Sequence, residues 1–123
     1  MRKILIAIFA LIMIGGCSIK TLDAAHYPEA YYVNASWYSV GKLTASGEQF
    51  NPDGATVAHK SYPFGTKLRL TNPNNGKSII VKVNDRGPFT KGVELDISRG
   101  GAQKLGIIKQ GRAKVRVELL TSR

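Results

Sequence analysis

Apolar and polar residues alternate in short runs along most of this chain. Residues 55–59, 67–70 and 114–119 each place their apolar side chains on one face, and 77–83 is rich in β-branched residues, so all four read as strands. Punctuation between them is strong. Pro63, Phe64 and Gly65 precede one strand, and Asn72, Pro73, Asn74, Asn75 and Gly76 separate two others as a hairpin turn. One helix is predicted, from Ser98 as cap through Ala102 and Leu105 to a stop near Gly106. Six or so short strands and one helix in about ninety residues predict a mainly β fold, a small closed barrel, because closure removes exposed strand edges.

The amino terminus follows another rule. Arg2 and Lys3 precede an uninterrupted apolar run over residues 4–14, then Gly15, Gly16 and Cys17. The run is too short for a hydrocarbon core that needs about twenty residues, and it has the layout of an export signal. The order Ile14, Gly15, Gly16, Cys17 resembles the lipobox of bacterial lipoproteins. That resemblance implies cleavage before Cys17, acylation of its sulfur and new amino group, and firm anchoring by several acyl chains. The expected layout is a signal peptide at 1–16, a lipidated tether at 17–33 ending in the first strand, and one domain at 34–121. Ser18, rather than an aspartate, after the cysteine favours the outer membrane, facing the periplasm, if the cell has two membranes. Cys17 is the one cysteine, so no internal disulfide supports the fold.

Composition adds one fact. Lys and Arg number 18 against 8 Asp and Glu, a formal net charge of +10, which predicts attraction to an anionic polymer or surface. Simple solubility or contact with lipid headgroups would account for the same balance. Nucleic acid is excluded as a partner, since the chain is exported and carries no nucleic-acid-binding module. His26 and His59 are far apart and the acidic residues lack ligand spacing, so neither a metal nor another cofactor is expected.

Chemistry must come from polar residues the scaffold does not need. Four stretches qualify: Ala35-Ser36-Trp37-Tyr38, Thr44 to Phe50 with Ser46, Gly47 and Glu48, Ala58-His59-Lys60, and Asn84-Asp85-Arg86-Gly87-Pro88-Phe89. In this order, and joined by Pro63-Phe64-Gly65-Thr66, Thr71-Asn72, Asn75-Gly76 and Leu95-Asp96-Ile97-Ser98, they resemble the rare lipoprotein A (RlpA-like) family of double-psi β-barrel proteins. The resemblance covers residues 34–120 and implies a six-stranded double-psi β-barrel with one short helix. It also implies a lytic transglycosylase, which cuts peptidoglycan glycan between N-acetylmuramic acid and N-acetylglucosamine and leaves a 1,6-anhydro end. Matching the family residue by residue makes Asp85 the acid and base, with Glu48 and His59 as its catalytic partners. Trp37 and Tyr38 would form a sugar platform, and Thr44, Ser46, Asn84, Arg86 and Asp96 would contact substrate.

Each candidate also has a structural alternative. Asp85 could cap a turn or pair with Arg86, and Glu48 could be a solvated turn residue. His59 could be a hydrogen-bonded structural histidine, and Asp96 could bond to backbone near the Ser98 cap. Trp37 and Tyr38 are neighbours in an alternating strand, so only one of them faces inward.

The chain departs from the family pattern in two places. It ends at Arg123 without the SPOR module many members carry, which puts septal recruitment in question. Residues 39–43 form a shorter connection than usual, without the typical Phe-His-Gly. The protein is expected to be a monomer whose partners are glycan strands, with cell-division or amidase machinery as further candidates. Two other function classes stay open: a non-catalytic, expansin-like glycan-binding barrel, and a structural lipoprotein bridging membrane and wall.

Overall fold

Strand pairing in this protein closes on itself. The computed structural model describes residues 29–121. Its six strands are β1 (Ala30–Tyr38), β2 (Thr56–Ala58), β3 (Lys67–Thr71), β4 (Ser78–Asp85), β5 (Leu95–Ser98) and β6 (Arg112–Thr121), with one helix, α1 (Arg99–Leu105), directly after β5. They form a barrel in the order β1-β5-β2-β4-β3-β6. The expected mainly β, six-stranded barrel with one short helix is the observed architecture. Two pairings, β1 with β5 and β2 with β4, are parallel, and the others are antiparallel. Parallel neighbours cannot be joined by a tight turn, so other strands lie between them in sequence.

Period-two alternation fills the barrel. Val57, Leu68, Leu70, Val81, Val83, Leu95, Ile97, Val115 and Val117 point inward, none more than 1% exposed. Burying each such side chain contributes roughly 1.5–3 kcal/mol before conformational entropy is counted. Ala102, Leu105 and Ile107 bring α1 and its exit into the same cluster.

The ends of α1 show how local signals serve the whole. Gly106 stops the helix in the left-handed region, φ 76°, as its sequence predicts. Ser98 occupies the N-cap position without capping. Its hydroxyl donates to the Gly54 carbonyl at 2.7 Å and accepts the Thr56 N–H at 3.1 Å, so it anchors the lead into β2. The Asn72 to Gly76 hairpin turn reaches back to the helix: the Asn72 and Asn75 side-chain amides both donate to the Leu105 carbonyl, one of the acceptors a helix end leaves free.

β1 starts at Ala30, in the last residues of the stretch read as a tether ending in the first strand, because β6 is long enough to pair with it as far as Glu118. Cys17 and the apolar run before it lie outside the described residues. Among the described residues no helix is long and apolar enough to cross a membrane.

Gly100, in α1, makes the tightest approach of the described glycines. Its N–H donates to the Pro52 carbonyl at 2.7 Å, and a Cβ there would sit 2.4 Å from the Asp53 carbonyl oxygen, which is backbone. Gly100→Ala therefore forces the 52–54 turn away from α1 and should cost about 1–3 kcal/mol, as overpacking does. Thermal melts of the two proteins check this; an unchanged midpoint would mean the turn moves freely.

Candidate active site

The site begins with one extra residue. β2 and β4 run in register through Thr56 opposite Lys82 and Val57 opposite Val83, but Ala58 then faces Asp85, so Asn84 has no partner on β2. With strict alternation, inward Val81 and Val83 would be followed by an inward Asp85. The bulge instead turns Asp85 outward, onto the face that carries Ala58, and leaves Asn84 almost fully buried at 4% exposure. The Asn84 carbonyl, freed from the ladder, accepts the Ser46 N–H at 3.2 Å. This fastens the Thr44 to Glu48 loop beside Asp85.

Asp85 receives three hydrogen bonds. Its Oδ1 accepts the backbone N–H groups of Ala45 and Arg86, both at 2.9 Å, and its Oδ2 accepts the Tyr38 hydroxyl at 3.2 Å. The turn-cap alternative is thus part of the geometry, but an ion pair with Arg86 is not. The Arg86 guanidinium lies 4.0 Å from the centre of the Phe64 ring and reaches the His59 carbonyl. Tyr38 is held by stacking on Phe50, with centroids 4.6 Å apart. Burial and the negative charge of Asp85 push its hydroxyl pKa well up, so Tyr38 keeps its proton.

Glu48 is exposed, and its Oε2 pairs with the Lys82 ammonium at 2.7 Å. The hydrogen bond from Lys82, followed by that from the Asn84 amide, holds its pKa below the usual range, so it stays anionic. Ser46, Glu48, Lys82 and Asn84, with Phe64, Gly65 and Val83, line a cavity of about 230 Å³. Thr44 is buried, its hydroxyl spent on Ser46 and the Glu48 carbonyl. Thr44 and Asn84 therefore shape the loop more than they face solvent.

His59 joins Asp85 through the main chain, its N–H donating to the Asp85 carbonyl at 3.1 Å. Its Nδ1 accepts the N–H groups of Ser61 and Tyr62 at 3.0 and 2.9 Å, and its ring stacks on Tyr62. Burial, helped by the charges of Arg86 and Lys60, lowers its pKa to about 4. The ring is neutral at physiological pH, and with Nδ1 used as an acceptor its proton sits on Nε2.

Asp96 lies on the same outer face. Its Oδ1 accepts the Ser36 hydroxyl at 2.8 Å, not the backbone near Ser98, and burial, with Asp85 nearby, raises its pKa while Ser36 opposes the rise. Trp37 is the inward member of its pair: its ring packs on the core and its indole N–H donates to the Ile108 carbonyl, away from Asp85. A larger hollow, about 510 Å³, lies there against Gln103, Gly106, Ile108, Lys109 and Gln110, without a carboxylate. The structure thus gathers Tyr38, Thr44, Ser46, Glu48, His59, Asn84, Asp85, Arg86 and Asp96, and leaves Trp37 out. Sequence reasoning gave no role to Lys82, Ser36, Phe50 or Phe64, although Ser36 and Phe50 lie in the stretches it singled out. Lys82 had a signal of its own, an outward cation on the strand that ends in Asp85. Among the described residues no group of three or more His, Cys, Asp or Glu is placed to hold a metal.

Barrel order, paired parallel strands and a carboxylate-bearing outer face define a double-psi β-barrel. The family described as "Lytic transglycolase" matches residues 31–117, and the chain belongs to that family. A protein named "Probable endolytic peptidoglycan transglycosylase RlpA" from Nostoc sp. is 55% identical over 80 residues, 65% of this chain and 22% of its own. "Endolytic peptidoglycan transglycosylase RlpA" of Neisseria meningitidis serogroup A is 48% identical over 88 residues, 69% of this chain and 37% of its own. The chain spans about a fifth to two fifths of the length of these curated relatives. Among solved structures, the Streptomyces papain inhibitor has a TM-score of 0.64 at 17% identity, covering 76% of this chain and 96% of its own. An expansin of Clavibacter michiganensis has a TM-score of 0.62 at 22% identity, covering 76% and 52%. Both share the fold.

The His59 environment gives a pH dependence. Its folded pKa lies below its unfolded value, so the unfolded chain binds the proton more readily, and stability present above about pH 6.5 is lost as pH falls toward 4. His59→Asn, whose Oδ1 can replace Nδ1 as the acceptor, should show a shallower fall in denaturation midpoint between pH 7 and 5. Parallel slopes for the two proteins would contradict this.

Proposed function

We propose that this protein is a peptidoglycan lytic transglycosylase that cleaves the glycan between N-acetylmuramic acid and N-acetylglucosamine and leaves 1,6-anhydromuramyl ends. The observation that carries this reading is Asp85: a carboxylate turned out of a barrel wall by a bulge, met by three donors and roofed by the loop that presents Glu48. The relatives' names favour the same substrate.

The reaction needs a group to protonate the departing glycosidic oxygen, a base for the muramyl 6-hydroxyl, and negative charge near the oxocarbenium-like transition state. Asp85 stands at the reacting centre and takes the 6-hydroxyl proton. Glu48, kept anionic by Lys82, steadies the developing positive charge. His59, neutral with its proton on Nε2, holds the 59–62 turn against Asp85 and offers one donor to a sugar hydroxyl. Tyr38 keeps Asp85 in place, and Ser46 and Arg86 border the path of the strand. One carboxyl can serve both roles in turn, first as acid to the departing oxygen and then, ionised, as base to the 6-hydroxyl.

Cys17 carries the lipid in this reading, so the barrel works from a membrane of the cell envelope on the wall beside it. The net charge of +10 supports a preference for stripped glycan, whose lactyl carboxylates are free.

Incubation of the protein from Ser18 onward with amidase-stripped glycan, followed by mass spectrometry, should yield 1,6-anhydromuramyl ends, with a rate at least ~100-fold lower for Asp85→Asn. Glycan binding without product in the unaltered protein would support the expansin-like alternative. The same assay at rising salt should show the preference for stripped over peptide-bearing glycan shrink; equal rates at every salt would remove the charge argument. In cells, Cys17→Ser should move the protein from the membrane fraction to the soluble one, and an unchanged distribution would count against the lipid anchor.

A further inference from the structure

Asp96 is a titratable group that the chemistry above leaves unused, and strand register places it with care. Ser36 on β1 pairs with Asp96 on β5, Asp96 pairs with Ala58 on β2, and Ala58 pairs with Asp85 on β4. Register partners point the same way, so these four side chains form one row across the outer face. Two strand spacings, roughly 10 Å between Cα atoms, separate Asp85 from Asp96. On β2, the strand between them, the row carries only the Ala58 methyl group, and the Tyr38 hydroxyl reaches over from β1 to Asp85. A longer side chain in place of Ala58 would fill the trough between the two carboxyls.

The carboxyl groups of the site have different surroundings. Glu48 has the Lys82 ammonium, and Asp85 has three donors. Asp96, half-buried, has the Ser36 hydroxyl and, among the described residues, no ion pair. The groups facing it are Ser36 and Tyr38 from β1 and Asp85 from β4, while β2 brings no ionisable side chain. Nothing positive favours its charged form, and Asp85 opposes it. Carboxyls whose environments are pushed apart in this way divide the labour of acid and base.

We propose that Asp96 is a second catalytic carboxyl, the proton donor to the glycosidic oxygen, with Asp85 across the trough as proton acceptor. This rests on the transglycosylase reading. The Asp96 proton passes to the glycosidic oxygen as the bond from the muramyl anomeric carbon to that oxygen breaks. The 6-hydroxyl oxygen bonds to the same carbon, and its proton passes to Asp85. Asp96 ends ionised and Asp85 protonated, and transfer of that proton back through water restores both.

The experiment uses the full-length protein in detergent with amidase-stripped glycan, measuring the rate of anhydro-end formation against pH and glycan binding in parallel. Asp96→Asn preserves shape and can still accept from Ser36; its rate should fall at least ~100-fold with binding unchanged. Ser36→Ala removes the bond that favours the ionised form, so the acid persists to higher pH. That variant should stay active, with the alkaline limb of its rate profile moved up in pH. An undiminished rate in Asp96→Asn, or an unmoved alkaline limb in Ser36→Ala, would overturn the assignment. A protein that binds glycan and gives no product even unaltered would overturn the transglycosylase reading and this assignment with it, an outcome read before either variant is made.

Discussion

The site depends on one backbone irregularity, the bulge at Asn84. A regular β4 would carry Asp85 to the inward position after Val83, where an ionised carboxylate would meet a closed apolar core at prohibitive desolvation cost. One unpaired residue reverses that. It brings Asp85 to the face shared with Ala58, Asp96, Ser36 and Tyr38, and it frees a carbonyl that docks the Thr44 to Glu48 loop. Wall, carboxylate and roof follow from a single insertion.

Like groups then sit in different electrostatic surroundings. The outer face holds Glu48, Asp85 and Asp96 in a strongly basic chain, yet one cation, Lys82, is spent on Glu48, while backbone amides and a tyrosine serve Asp85. Arg86, next to Asp85 in sequence, leans instead on Phe64, so its charge does not neutralise the carboxylate beside it. The rigid barrel matters here, because hydrogen-bonded donors hold these differences only if the strands beneath them do not move.

Much of the scaffold was legible in the sequence, since a closed barrel repeats one signal: apolar inward, polar outward. The β3–β4 turn and the Gly106 stop carry their own chemistry and fell where expected. Ala30 to Val33 carry no strand periodicity of their own and are strand by virtue of partners on distant β6. Alternation required Trp37 and Tyr38 to part, but only the register with β5 decides which turns inward. The bulge was hidden, since Val83, Asn84 and Asp85 read as an ordinary strand end. Its consequences, a buried Asn84, a Glu48 paired with Lys82 and an Asp96 bonded to Ser36, were hidden with it.

On the proposed reading, glycan lies along the outer face organised by this bulge. The most direct measurement is amide chemical-shift mapping of the Asp85→Asn protein titrated with a peptide-free glycan tetrasaccharide. Glycan on this face should perturb amides clustered at Ala45, Ser46, the 84–86 segment and Asp96. Perturbation centred on Gln103 to Gln110, with Ala45 and Arg86 unmoved, would contradict it.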